Sequence, residues 1–136
     1  MIHLDTNVAI ALINGDRPRI RAQFNMTRLA GIPLGLSMIV YHELMYGAAC
    51  SERRAENENK IALFVAAGGL ELISFEQADG RAAADIRAYL RRQATPIGPY
   101  DALIAAQARR ADASLVTANR KEFERVPGLI VMDWAT

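Results

Sequence analysis

Apolar positions along the chain fall into two alternating patterns. Short runs dominated by apolar residues read as buried strands: Ile2-His3-Leu4, Leu34-Gly35-Leu36, Leu70 to Phe75, Ser114 to Thr117 and Leu129 to Met132. Between them the spacing is helical. Val8 to Ile13 follows the first strand, and Ile20, Phe24 and Thr27 continue behind Pro18, which suits a helix start. Val40, Leu44 and Ala48 repeat at i, i+4, i+8 behind Ser37, a good N-cap residue. The charged stretch Arg53 to Lys60 reads as the solvated start of a helix that Gly68-Gly69 stops. Ala82, Ile86, Tyr89 and Leu90 mark an amphipathic helix between Glu76 and Gln93. Asp101 to Ala111 is helical and Ala-rich, Lys121 to Arg125 gives one short turn, and Trp134 closes the last strand. Strands alternating with helices predict an α/β fold, with a parallel four- to five-stranded sheet covered on both faces and right-handed crossovers.

A length of 136 residues with 51% hydrophobic content fits a single domain over residues 1–136. The longest apolar run, Ile61 to Ala67, is far too short to span a bilayer. The chain starts directly with a strand, without the charged and apolar regions of a secretory signal, so a cytoplasmic protein is expected. The lone Cys50 fits that compartment and reads as a small buried hydrophobe. No glycine-rich fingerprint follows a strand, which excludes dinucleotide-binding and P-loop classes. The net charge of +1 conceals a bias: of 16 basic residues only Lys60 and Lys121 are lysines. Arginine forks suit phosphate, although genome base composition explains the same bias.

Four residues carry the candidate chemistry. Asp5 stands where the first strand gives way to a helix, the edge of an open α/β sheet where ligands bind. Taken alone it reads first as a helix N-cap. Glu43 falls at the margin of the Val40/Leu44 stripe, where a half-buried acid needs a partner or a cation. Asp101 lies in a first helical turn, where a carboxylate is favoured on electrostatic grounds alone. The rigid Pro96-Ile97-Gly98-Pro99 turn before it would hold it in one direction. Asn119 follows the fourth strand as Asp5 follows the first, with Thr117 just before it and Glu122 three residues on; a cap with its capping-box partner is the competing account. Together these groups predict one site. Clustered carboxylates do not all ionise without a cation. Oxygen ligands select Mg²⁺ or Mn²⁺, and such a site suits phosphodiester hydrolysis.

The blocks Leu4-Asp5-Thr6-Asn7, Tyr41-His42-Glu43-Leu44, Pro96-Ile97-Gly98-Pro99-Tyr100-Asp101, Leu115-Val116-Thr117-Ala118-Asn119 and the tail from Lys121 to Trp134 resemble, in order and spacing, PIN-domain proteins of the VapC toxin family. The resemblance implies a three-layer α/β/α sandwich and a Mg²⁺- or Mn²⁺-dependent endoribonuclease inhibited by a VapB antitoxin. It maps the family's three acids onto Asp5, Glu43 and Asp101, and a fourth position, often Asp, onto Asn119. That departure puts a second metal in doubt and points to Glu122 as an auxiliary charge. The turn and tail blocks are similar to members that cut the anticodon loop of initiator tRNA. The antitoxin would lay an apolar segment in a groove walled by Ile10, Met45 and Tyr46 and aim an Arg at the acids; a homodimer or a hetero-oligomer with the antitoxin is expected.

Three other readings compete. An aspartyl-nucleophile phosphatase wants Asp where Asn7 stands, and a phosphorylated receiver wants adjacent acids and a late lysine. A non-catalytic PIN-fold module binding RNA or protein is disfavoured by the intact acids.

Overall fold

The computed structural model describes residues 1–136. Five short strands, β1 (Ile2–Leu4), β2 (Leu34–Ser37), β3 (Glu71–Ile73), β4 (Ser114–Val116) and β5 (Ile130–Met132), form one parallel sheet. Their order is β3-β2-β1-β4-β5. The chain therefore winds outward from β1 in one direction, then returns to lay β4 on its other side. This places a topological switch point between β1 and β4, where the carboxyl ends of the strands open a crevice.

Seven helices flank the sheet: α1 (Thr6–Asn14), α2 (Pro18–Leu29), α3 (Met38–Ala49), α4 (Arg54–Ala67), α5 (Gln77–Arg92), α6 (Pro99–Arg110) and the single turn α7 (Arg120–Phe123). The N-terminal four pack among themselves, and α5 runs along α6. The expected helix-start devices are present. The Ser37 hydroxyl accepts from the Ile39 amide at 3.0 Å, and Pro18 and Pro99 open their helices. Val40, Leu44 and Ala48 are all buried, in one continuous apolar cluster with β1, β2 and β4. Trp134 closes this core edge-on to Phe24, whose ring also meets Phe64.

The structure departs from the sequence expectations in three places, the third strand, the α5 stripe and Cys50. The third strand ends at Ile73, because the Gln107 side-chain amide takes the carbonyls of Ile73 and Ser74 at 3.0 and 2.9 Å and draws the chain away from the sheet. In α5 the buried stripe is Asp79, Ala83, Ile86 and Leu90, and Tyr89 faces outward. Asp79 tolerates burial because its carboxylate pairs with Arg110 at 2.6 Å and accepts from the Glu76 amide at 2.8 Å. Cys50 is exposed, since it caps α3 beyond the buried Ala48. His3 is buried in β1 with neither ring nitrogen hydrogen-bonded. Burial, reinforced by the N-terminal ammonium, lowers its pKa from 6.5 to about 4, so it is neutral in the fold.

Candidate active site

Asp5 leaves β1 at the switch point. Its amide donates to the Val116 carbonyl at 2.9 Å, so β4 fixes its position. Its carboxylate is 4% exposed and accepts two hydrogen bonds of 2.6 Å, from the Thr6 amide and from the Thr117 hydroxyl. The cap and site readings of Asp5 are thus one arrangement: one oxygen starts α1 while the other is held from β4. Burial raises its pKa, and the two donors oppose that rise.

Thr6 links the next acid. Its hydroxyl donates at 2.9 Å to Glu43, which α3 presents half-buried. Asp101 lies in the first turn of α6 beside Glu122, the third residue of α7. Burial first, then a hydrogen bond with Glu122 and the nearby charges of Asp5, Glu122 and Glu43, raise the Asp101 pKa to about 7. Glu122 is held below its ordinary value, chiefly by the Gly98 amide, which donates to it at 2.9 Å, and also by the Asn119 side-chain amide, Asp101 and Arg125. Asp101 and Glu122 therefore titrate together, Asp101 pushed up and Glu122 pushed down. Gly98 is needed here for close approach: a Cβ would stand 3.3 Å from an Asp101 oxygen and 3.9 Å from Glu122.

Asn119 occupies the N-cap position of α7, but its side chain makes no capping hydrogen bond. Its side chain donates to Glu122, and its backbone amide donates to the Thr117 hydroxyl at 2.9 Å. Thr117 thus receives one hydrogen bond and passes another to Asp5. The reciprocal capping box weighed for Asn119 and Glu122 does not form, because Glu122 is engaged by Gly98.

All four acids act on one another electrostatically, but no three of them present their oxygens already drawn together around one point as ion ligands. The expectation that Asp5, Glu43 and Asp101 stand at ligand spacing is therefore not met side chain by side chain. Like charges repel, and hydrogen bonds from Thr6, Thr117, Gly98 and Asn119 occupy the oxygens of Asp5, Glu43 and Glu122. The donor set nevertheless suits a hard divalent cation. It consists of carboxylate oxygens, none of them in an ion pair with Arg or Lys. A raised carboxyl pKa is the expected mark of a charge cluster that a cation would relieve.

Two hollows meet at Glu43 and Ile10. One lies among α1, α3 and α4 and is mainly aliphatic, lined by Ile13, Leu44, Ala48 and Ile61 as well as Ile10. The other borders the acid cluster at Glu43 and includes Thr6, His42, Tyr46 and Tyr100. Of the three residues assigned to one groove, Ile10 touches both hollows and Tyr46 lines only the second. Met45 lines neither; it is half-buried against the core. A quarter turn of helix separates these faces, which a count of apolar residues in α3 does not resolve. The sequence reading also passed over Thr6, His42 and Tyr100. Each is the immediate neighbour of an acid, which was the available signal.

The PIN-domain family model matches residues 2–129. The chain is 36% identical over 132 residues to a protein of Shigella flexneri named tRNA(fMet)-specific endonuclease VapC, covering 97% of this chain and 96% of that one. It superposes with a TM-score of 0.90 on a chain from VapBC2 of Rickettsia felis bound to a promoter DNA fragment, at 32% identity over 98% of this chain and 99% of that one. A DNA-bound VapBC structure from Salmonella typhimurium matches with a TM-score of 0.88 and 35% identity, over 98% and 97% of the two chains. Full-length agreement in sequence and in fold makes this chain a PIN-domain protein of the VapC family.

Proposed function

We propose that the chain is the toxin of a toxin–antitoxin pair, an endoribonuclease whose site is Asp5, Glu43, Asp101 and Glu122. The observation that carries this is the group of mutually acting carboxylates beside the β1/β4 switch point, none of them in a salt bridge, on a VapC chain. Asp5, Glu43 and Asp101 would hold Mg²⁺ or Mn²⁺, with Glu122 supplying the fourth charge. When bound, the ion neutralises phosphate oxygens and lowers the pKa of water.

The chain's own residues do the rest. Thr6 and Thr117 hold Asp5 in one orientation, and Thr6 also fixes Glu43. Asp101, with its pKa near 7, holds a proton or releases it close to neutrality. Asn119 acts on Glu122 and serves as its positioning residue.

The substrate is RNA, and the name of the Shigella relative points to initiator tRNA. The partner is a VapB-type antitoxin seated in the aliphatic hollow among α1, α3 and α4, giving a hetero-oligomer. No helix is long and apolar enough to cross a membrane, and the proposed site of action is the cytoplasm.

The test is cleavage of purified initiator and elongator tRNA with Mg²⁺. Wild type should cut the initiator species, while a chelator or Asp5→Asn should abolish cutting. Undiminished cleavage by Asp5→Asn overturns the assignment.

A further inference from the structure

The hollow that borders the acid cluster at Glu43, about 660 Å³ in volume, contains a connected run of three exposed rings. His42 stacks on Tyr46 with centroids 6.4 Å apart and planes at 28°, and meets Tyr100 edge-on at 5.9 Å and 73°. Tyr46 is 65% exposed and Tyr100 50%. These rings are tied to the carboxylates by the covalent chain: His42 precedes Glu43 in α3, and Tyr100 precedes Asp101 in α6. The hollow shares Thr6 and Glu43 with the acid cluster.

We propose that His42, Tyr46 and Tyr100 form a stacking platform for one unpaired nucleobase of the RNA, beside the phosphate handled by the carboxylates. This rests on the ribonuclease reading above. Every base has a π-face, and aromatic side chains bind bases through it without a sequence requirement. The volume lies in the range of small-ligand sites, roughly 300–1,000 Å³. No Lys or Arg lines this hollow, so it offers nothing to grip a phosphate backbone; it suits a base, with the phosphate left to the acids and their cation. The aliphatic hollow on the other side of Glu43 has the opposite character and suits an apolar protein segment. Bases inside a duplex are already stacked and cannot enter, so the platform selects loops and single strands.

The test uses a short single-stranded RNA carrying an adenine analogue whose fluorescence is quenched by stacking, added to Asp5→Asn protein so that the RNA stays intact. Quenching is expected, and it should be absent with the same RNA in a duplex. Tyr46→Leu, which keeps apolar bulk at an exposed position, should raise the Kd on the order of tenfold. Tyr46→Phe should restore it to within roughly twofold. In an otherwise wild-type chain, Tyr46→Leu should raise KM and leave kcat nearly unchanged. No quenching, or equal quenching by Tyr46→Leu and its parent, overturns the platform. So does unchanged quenching together with lost antitoxin binding, which assigns the hollow to the protein partner. Cleavage retained by Asp5→Asn overturns the assignment of the carboxylate site instead, and quenching recorded before cleavage still judges the platform.

Discussion

The Thr117 hydroxyl donates to the buried Asp5 carboxylate at 2.6 Å, across 112 positions of sequence, and joins the end of β4 to the end of β1. This hydrogen bond opposes the rise that burial imposes on the Asp5 pKa. Thr117→Val keeps the shape and removes the donor. The Asp5 pKa then rises further, and the acid limb of the cleavage profile moves to higher pH. A buried, charge-assisted hydrogen bond also contributes about 1–3 kcal/mol to stability. Cleavage across a pH series, with a denaturant melt, measures both effects; an unmoved acid limb refutes the assignment.

Two groups give opposite pH dependences of stability. Asp101 has a pKa of about 7 in the fold against 3.8 ordinarily, so the folded chain holds a proton that the unfolded chain releases. That contribution is fully present below pH 3.8 and is lost as pH rises through 7. His3 has a pKa of about 4 in the fold against 6.5, so the unfolded chain takes up the extra proton. Its contribution is present above pH 6.5 and is lost as pH falls toward 4. The slopes oppose between these limits. Without added metal, Asp101→Asn should leave Tm rising with pH across that window, and His3→Phe should leave it falling. Parallel profiles for the two variants would contradict this assignment.

Asn119→Asp replaces a donor to Glu122 with a like charge. The metal-free protein should lose stability near neutral pH, and added Mg²⁺ should raise its Tm more than it raises that of wild type. Thermal melts across a Mg²⁺ titration measure the difference. Equal Mg²⁺ responses would leave Asn119 with no role beyond holding Glu122.

Gly47 borders the aliphatic hollow, and a Cβ there meets nothing within 4 Å. Gly47→Leu therefore fills the hollow without disturbing the core, and replacing Gly inside a helix favours the helix. Affinity for the co-expressed antitoxin should fall at least on the order of tenfold, while RNA cleavage continues. Undiminished affinity would move the antitoxin to another surface.

The alternation of strands and helices was legible because apolar period survives in single sequence; Asp5 and Asp101 stood out because each sits at a strand end or helix start, and Glu43, midway along α3, because it lies at the margin of the Val40/Leu44 stripe. What periodicity could not supply was rotation and partnership. Tyr89 and Ala82 fit the α5 stripe as well as Ala83 does; only the Asp79–Arg110 pair, made across two helices, allows a carboxylate to turn that helix inward. Met45 and Tyr46 are adjacent in sequence yet face different surroundings. Asn119 and Glu122 carried a local capping explanation until Gly98, 24 positions away from Glu122, engaged the glutamate.

The strand order β2-β1-β4 has a consequence for biosynthesis. Asp5 leaves the ribosome long before Thr117 and Glu122, which complete its surroundings. A fragment that ends before β4 therefore carries the acid without the hydroxyl that orients it, and the cluster assembles only when β4 docks beside β1.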